Sequence, residues 1–426
     1  MTTGFSVIFG ADLKVFVYKY IRNRITLLFT IVNTPLFTFV HSMKIEQQYS
    51  RLFRAPLEGR YIHNEHISPL LESASKFAKV EVVGHSQNGL PIHKVTLGYG
   101  EKKVFAWSQM HGNESTTTKA LFDFLQLFQQ KEALQQEISI FLSQYTCVFI
   151  PILNPDGALA YTRVNANEVD LNRDALDLSQ KESRIHRKIL EEFKPDLCLN
   201  LHDQRTIYGT GDGNPATVSF LSPAASPSRE VTAAREEAMR NIVRLREALE
   251  QFIPGCIGRY SDTFNENCLG DYITKWGVPS ILFEAGHFPG DYQREKTREL
   301  IFYAFLELFH FTSLGTDTPD HRDYFKIPEN KVDFKDVIIR NVRLSGHDDV
   351  VSIGIQYTEV LKNGKILFEP VVDSIGDLDL WYSHYENDGN KGFVLLNYHK
   401  KEGIGEKIIS IIEEFSGNVL FYSGNK

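Results

Sequence analysis

Three short polar clusters follow directly after apolar runs in this sequence, and their side chains are of the kinds that bind metal ions. The first cluster is His111-Gly-Asn-Glu114, the second begins at His202, and the third begins at Glu284. Ligands of open α/β sheets bind beyond the carboxyl ends of the strands, so clusters that follow three strands are expected to meet at one edge. The placement of these residues therefore predicts a polar site at the edge of a sheet.

The residue types in these clusters are those of a catalytic zinc site. Two imidazoles and one carboxylate (His111, His202 and Glu114) leave a fourth position on zinc for water, which is typical of a catalytic rather than a structural site. The three-residue offset between His111 and Glu114 lets both side chains face one ion across a turn from a loop into a helix. Glu284 adds a second carboxylate that can act as a general base. An isolated HxxE pair is mostly chance, so the shared placement of the clusters carries the prediction.

Composition excludes several other classes of protein. The chain has 426 residues and a net charge of -8, without a basic block, which argues against nucleic acid as the main partner. Its four cysteines form no CxxC pair, so neither a disulfide scaffold nor a cysteine-built zinc site is expected.

Apolar runs alternate with helical patterns between residues 78 and 311. Nearly continuous apolar runs are typical of buried parallel strands, and the alternation predicts an α/β fold with a mixed, mainly parallel central sheet and helices on both faces. The predicted strands are Ala78–Val83, Pro91–Leu97, Val104–Met110, Thr146–Leu153, Asp196–Leu201 and Pro279–Phe283, and the predicted helices are Ser115–Gln129, Gln180–Phe193, Ser228–Phe252 and Asp291–Phe311.

The pattern changes after the catalytic region, which we assign to residues 43–314. Residues 315–331 are polar with glycine and proline, as in a linker. Residues 332–426 are predicted to form a small β-rich C-terminal module of unknown role. Its predicted strands are Val337–Leu344, Val351–Val360 and Ile366–Val372, with a tight hairpin at Asn363-Gly364 and a helix at Ile404–Phe415.

The first 42 residues are set apart as an N-terminal extension or a signal- or anchor-like segment. Basic residues precede an apolar run at 25–40, which is the order of a signal peptide. That run has 16 residues, fewer than the roughly 20 that a membrane span needs, so no stable span is predicted. Met43 offers an alternative start. The protein is expected to be cytoplasmic if translation starts there, and exported or membrane-associated if residues 1–42 are a real signal.

Six motifs occur in a fixed order and cover about residues 50–310. They are VGHSQNGLPI at 83–92, HGNE at 111–114, NPDG at 154–157, DLNR at 170–173, His202, and Phe283-Glu284. In sequence and order they resemble the motifs of the zinc metallocarboxypeptidases, the family that contains carboxypeptidases A and B. The separate zinc-binding pattern HExxH is absent from the sequence.

The resemblance implies a role for each residue of the predicted zinc site. His111, Glu114 and His202 would hold one Zn²⁺ per chain. Glu284 would take a proton from the attacking water and later pass it to the leaving amine.

The resemblance also implies residues that bind substrate. Arg163 is placed like the arginine that stabilises the tetrahedral oxyanion, and Asn172 and Arg173 would bind the terminal carboxylate, which suits the planar fork of arginine. The alternative for both arginines is a surface salt bridge. Tyr260 is assigned to the family's mobile tyrosine, with Tyr272, a core residue, as the alternative.

Two departures from the digestive members of the family limit this transfer. Only 87 residues separate Glu114 from His202 (202 − 114 − 1), so loops around the pocket are expected to be trimmed. The residues after His202 are Asp203-Gln-Arg205 rather than Ser-Tyr, and Arg205 either adds a positive charge to the cleft or pairs with Asp203. His287 is either a partner of the site or a structural residue.

These residues support one leading function and two alternatives. The leading prediction is a zinc metallocarboxypeptidase that hydrolyses the C-terminal bond of a peptide. The first alternative is a zinc amidohydrolase that acts on small N-acyl amino acids, as in the succinylglutamate desuccinylase and aspartoacylase branch. The second, a binding protein on an inactive peptidase fold, is disfavoured because the ligands and Glu284 are all present.

Overall fold

The computed structural model describes residues 19–21, 24–26, 49–130, 134–344, 349–397 and 403–423. The chain divides into two compact units, 1–47 and 48–426. In the first unit, strands β1 (Lys19–Ile21) and β2 (Arg24–Thr26) pair antiparallel. Most of the apolar run at 25–40 lies outside the described residues, as does Met43. Among the residues that are described, no helix has the length and hydropathy to cross a membrane.

A mixed sheet forms the centre of the second unit. Its order is β10-β9-β11-β7-β5-β6-β4-β3, and its four middle strands run parallel. The predicted α/β class with a mainly parallel centre is therefore confirmed, as is the antiparallel hairpin of the first two predicted strands. The strands are β3 (Lys79–His85), β4 (Pro91–Gly98), β5 (Lys102–Ser108), β6 (Tyr145–Ile150), β7 (Leu197–Asp203), β9 (Val218–Leu221), β10 (Ile257–Arg259) and β11 (Ser280–Ala285).

Helices cover both faces of this sheet because side chains alternate along each strand. On β6, Val148 and Ile150 pack in one cluster with Ile189 of the helix at 181–193. Phe149 points to the opposite face, where its ring centroid lies 6.4 Å from that of Phe124. The helices are α1 (Asn64–Ala74), α2 (Thr116–Leu127), α3 (Gln135–Gln144), α4 (Pro155–Ala160), α5 (Lys181–Phe193), α6 (Ala233–Glu250), α7 (Leu269–Lys275) and α8 (Glu295–Leu308).

Short elements complete this part of the chain. A π-helical turn, two 3₁₀ turns and a two-stranded ribbon lie between the longer elements; they are Tyr49–Phe53, Leu171–Arg173, His321–Lys326, and β8 (Tyr208–Gly209) with β12 (Lys331–Val332). The stretch predicted as a linker is packed against the central sheet, since the buried Tyr324 accepts a hydrogen bond from the Ser222 amide through its hydroxyl.

The C-terminal residues form a second sheet, mostly antiparallel, and confirm the predicted β-rich character of this region. Its order is β15-β14-β13-β17-β18-β19, with β16 beside β13. The predicted hairpin at Asn363-Gly364 joins β14 to β15. The strands are β13 (Phe334–Leu344), β14 (Val350–Lys362), β15 (Lys365–Gly376), β16 (Tyr382–Asp388), β17 (Phe393–Leu396), β18 (Ser410–Glu413) and β19 (Val419–Tyr422).

The helix predicted at Ile404–Phe415 is wrong. Strand β18 occupies part of this range and pairs with β17 and β19. Ile408 and Ile411 are fully buried in the core of the second sheet, so packing between strands overrides the helical spacing of the isoleucines. The domain boundaries at residues 43, 315 and 332 stay predictions, because residues 48–426 form one compact unit.

Candidate active site

Three adjacent strands of the central sheet bring the polar clusters together. His202 on β7 and Glu284 on β11 are register partners in a parallel pair. Strand β5, which ends at Ser108, lies on the other side of β7 and leads into the turn that holds His111 and Glu114. The carboxyl ends of parallel strands share one sheet edge, so these side chains converge from separate parts of the chain.

The side chains of His111, Glu114 and His202 form a compact buried cluster. The Nδ1 atom of His111 lies 3.0 Å from Glu114 Oε1 and 3.0 Å from His202 Nδ1, and His202 Nδ1 lies 2.8 Å from Glu114 Oε2. Among the described residues, this is the one group of histidine, cysteine and acidic side chains with metal-ligand spacing.

The chemistry of this cluster fits a zinc ion. Two imidazoles and a carboxylate are ligands that zinc prefers. The Nδ1 atoms of both histidines face each other and the Glu114 carboxylate in a buried space, and these are the ring nitrogens that a metal ion there would take. The three side chains would therefore be the protein ligands of the metal.

A carboxylate outside the cluster orients one of the histidines. Asp170 Oδ1 lies 2.9 Å from His111 Nε2, so the other ring nitrogen of His111 faces Glu114 and His202. Such carboxylate–histidine contacts fix the tautomer and the ring orientation of a metal ligand. Asp170 belongs to the DLNR motif, but its part in the site was not predicted from the sequence.

The two glutamates of the site have opposite pKa shifts. Burial alone would raise the pKa of Glu114, but His111 and His202 outweigh it and hold that pKa well below its usual range. Burial, with the negative charges of Glu114 and Asp203, raises the pKa of Glu284 well above its ordinary value. The Oε2 atom of Glu284 is buried, and no donor among the described residues bonds to it.

The NPDG motif supports the turn that carries the first two ligands. Asn154 caps α4 by accepting a hydrogen bond from the Gly157 amide at 2.9 Å, with proline at the next position. The side chain of Asn154 also donates to the Met110 carbonyl. Gly112 lies so close to this turn that a Cβ atom there would be 1.9 Å from the carbonyl carbon of Gly157. The HGNE and NPDG motifs are therefore in direct backbone contact.

The structure places Arg163 beside the cluster. Its guanidinium donates to Glu114 Oε1 at 3.2 Å and to Asp170 Oδ2 at 3.1 Å. About half of the side chain is exposed, so the positive charge also faces the space above the ligands.

Asn172 and Arg173 lie beside α7, on the short 3₁₀ turn that follows Asp170. The buried Asn172 accepts a hydrogen bond from the Leu269 amide at 3.1 Å. Arg173 is exposed and donates to the carbonyl of Asn172 at 2.7 Å.

Tyr260 and Tyr272 occupy different environments. The ring of Tyr260 packs edge-on against Tyr208, and burial together with the negative charge of Glu284 raises the pKa of its hydroxyl. Tyr260 therefore lies near the predicted base. Tyr272 is buried in the core, with the guanidinium of Arg187 4.0 Å from its ring centroid.

Asp203 pairs with Arg60 rather than with Arg205. Its Oδ2 accepts hydrogen bonds from the amide and the hydroxyl of Thr116 and lies 3.7 Å from the buried Arg60 guanidinium. Arg205 is exposed and forms no ion pair among the described residues. Arg60 carries no sequence signal, since it lies outside every motif.

His287 is buried against aromatic rings, and the centroid of its ring lies 4.1 Å from that of His384.

A cleft of about 360 Å³ opens beside Glu114 and Arg163. Residues of the C-terminal sheet line it together with residues from the region of the central sheet. The complete lining is Arg60, Asn113, Glu114, Arg163, Asp203, Gln204, Arg205, Thr206, Tyr292, Asp336, Gln356, Tyr357, Thr358, Glu359 and Phe368.

Residues 63–196 match the family model of the zinc carboxypeptidases. Carboxypeptidase 2 of Trichophyton rubrum is 28% identical over 104 residues, which cover 24% of this chain and 19% of that protein. Probable carboxypeptidase 2 of Arthroderma benhamiae is 27% identical over 103 residues, with the same coverage. The alignments thus span about a fifth of the length of these relatives.

Solved structures with a similar chain course include a metallo-carboxypeptidase from Burkholderia cenocepacia and carboxypeptidase A from Helicoverpa armigera. The first is 19% identical with a TM-score of 0.47, and the alignment covers 58% of this chain and 69% of that protein's chain. The second is 14% identical with a TM-score of 0.47, and the alignment covers 65% of this chain and 81% of that protein's chain. The family resemblance drawn from the sequence is confirmed, and the segment that matches the family model holds the HGNE, NPDG and DLNR motifs.

Proposed function

We propose, from the match of residues 63–196 to the family model of the zinc carboxypeptidases, that the chain is a zinc-dependent hydrolase that cleaves the C-terminal bond of peptides. One observation carries the proposal: a buried His111–Glu114–His202 cluster lies beside Glu284, the register partner of His202 on the neighbouring strand. We further propose one zinc ion per chain.

Zinc held by His111, Glu114 and His202 would supply a Lewis acid that polarises the scissile carbonyl and activates water. Glu284 takes a proton from the attacking water and delivers it to the leaving amine. As the register partner of His202 on the neighbouring strand, Glu284 lies beside the ligand cluster, where one carboxyl group can serve both steps.

Two arginines supply positive charge for the substrate. Arg163 stabilises the negative charge that develops on the carbonyl oxygen, since its guanidinium is already beside Glu114 and partly exposed. Arg173, with Asn172, binds the terminal carboxylate, which the planar guanidinium can pair with in bidentate fashion. Tyr260 closes on the substrate from the side of Glu284.

Mass spectrometry of a mixed peptide pool tests the proposal. We expect release of single C-terminal residues that stops with a chelator and returns with added zinc. Peptides with an amidated C-terminus provide the matched control, since they lack the charge that Arg173 binds. Zinc analysis of the purified protein measures the ratio of metal to chain.

The Glu284→Gln variant separates binding of the metal from chemistry. Glu284 is not one of the three ligands, so this variant is expected to keep its zinc and lose turnover; unchanged turnover would remove Glu284 from the mechanism. Chelator-sensitive release of acyl groups from N-acyl amino acids, with peptides left intact, would instead support the amidohydrolase alternative.

A further inference from the structure

The C-terminal sheet lines the same cleft as Glu114, one of the predicted zinc ligands. We propose that Gln356–Glu359 of β14 form the subsite for the substrate residues on the amino side of the scissile bond. This assignment rests on the proposed carboxypeptidase function and gives the C-terminal sheet a role in choosing substrates.

Two walls from distant parts of the sequence face the cleft. Glu114 and Arg163 lie on the catalytic side, and Gln356, Thr358 and Phe368 contribute the wall from the second sheet. Without β14 and β15 this space would be open to solvent, so its shape depends on the C-terminal sheet.

The position of the carboxylate-binding residues fixes the direction of the substrate. Asn172 and Arg173 do not line the cleft but lie beside α7. A peptide whose terminal carboxylate is held there passes Glu114 and Arg163 at its scissile bond. The residues that precede this bond then enter the cleft.

Polar contacts hold the second wall against the catalytic part. Glu359 accepts hydrogen bonds from Arg60 at 2.9 Å and from the Tyr161 hydroxyl, and Gln356 donates to the Thr206 hydroxyl at 2.7 Å. Arg60 is 5% exposed, so the contact with Glu359 is shielded from water on its side. The wall is therefore a fixed surface, and a fixed surface can select substrates by the shape of the segment that enters the cleft.

Exposed polar side chains in the cleft suit the main chain of a peptide. Thr358 and Arg205 both line the cleft and are both exposed. The Thr358 hydroxyl can donate to a peptide carbonyl or accept from a peptide N–H group. Arg205, exposed at the same cleft, favours an acidic side chain in the incoming segment.

A Thr358→Trp variant tests this subsite by filling the cleft from an exposed position. Lys362→Trp places the same side chain at an exposed site of the same strand that does not line the cleft. Both zinc-loaded variants are compared with wild type on a hexapeptide and on an N-acetyl amino acid that share one C-terminal residue. Circular dichroism and zinc content confirm folding, and Thr358→Phe repeats the test with a smaller ring.

The hexapeptide is expected to lose about tenfold or more in kcat/KM with Thr358→Trp, while the N-acetyl amino acid changes by less than about twofold. Lys362→Trp should match wild type on both substrates. Equal hexapeptide values in the two variants, or equal losses on both substrates with Thr358→Trp, would overturn the subsite.

A binding measurement distinguishes this proposal from the proposed reaction. Calorimetry with Glu284→Gln protein measures the Kd for the hexapeptide with and without Thr358→Trp. Weakened binding in the double variant supports the subsite even if wild type hydrolyses neither substrate, a result that would remove the carboxypeptidase reaction alone. Unchanged binding counts against the subsite even if wild type is an active carboxypeptidase.

Discussion

Replacing Glu359 by glutamine removes a charge that links the second sheet to Arg60, which also lines the cleft. The carboxylate lies 2.9 Å from the Arg60 guanidinium, and Arg60 is 5% exposed while the Glu359 side chain is 26% exposed. After the substitution, Asp203 at 3.7 Å is the nearest remaining negative charge. Glutamine keeps the length of the side chain and an acceptor for Tyr161, so the variant isolates the charge.

The expected loss in the free energy of unfolding is about 2 kcal/mol. Breaking a fully buried ion pair costs roughly 3–5 kcal/mol because one charge stays buried and uncompensated. The loss is smaller here because Asp203 remains close to Arg60 and Glu359 is partly hydrated. Denaturant unfolding of wild type and variant measures this difference.

A matched control is Glu192→Gln on α5. Glu192 pairs with Lys188 at 3.9 Å, and both side chains are about 70% exposed. Such exposed pairs contribute less than about 1 kcal/mol, so this variant should stay within about 0.5 kcal/mol of wild type. Equal effects of the two substitutions would refute the claim that Glu359 compensates a buried charge.

The effect of Glu359→Gln is expected to depend on pH. Burial alone would raise the pKa of Glu359, but Arg60 and the hydrogen bond from Tyr161 bring it below its ordinary value of 4.5. A carboxyl group with a lowered pKa contributes stability above its unfolded-state value, which is lost as pH falls through the folded-state value. The difference in the free energy of unfolding between wild type and variant should therefore be constant near pH 7 and disappear as the pH falls below 4.5. A difference that persists in acid would contradict the charge argument.

Three other substitutions test the zinc site and the carboxylate-binding residues. Asp170→Asn weakens the contact that orients His111 and should lower zinc affinity by about 10- to 100-fold in chelator competition, and an unchanged affinity would exclude this role. Arg173→Ala should raise KM for peptides with a free C-terminus and leave zinc content unchanged; full activity would count against carboxylate binding. Gly112→Ala places a Cβ atom against the Gly157 backbone and should reduce both stability and zinc content, whereas a folded, zinc-loaded variant would show that the turn can move.

The central sheet and the predicted ligands follow from local sequence patterns. Long apolar runs identified the buried strands, and polar residues at their ends indicated which side chains would meet. The helix predicted at 404–415 failed because isoleucines with helical spacing are also suited to buried strands, and pairing with β19 decided between them.

The contacts that shape the cleft could not be predicted in this way. Arg60 and Glu359 are 299 positions apart and belong to no motif. Their pairing depends on how the second sheet packs against the first. A sequence pattern reports the secondary structure of each residue, but not which distant charge it will meet.

The order of synthesis has a consequence for the cleft. Glu284 precedes Glu359 by 75 positions (359 − 284), so at roughly 5–20 residues per second the ribosome makes the wall about 4–15 s after the last residue of the ligand cluster and its base. During this interval Arg60 lacks its main counter-ion and the cleft has one side only. Assembly of the second sheet is therefore the step that completes the cleft, and a nascent chain that ends before β14 carries the cluster without the surface that would restrict what reaches it.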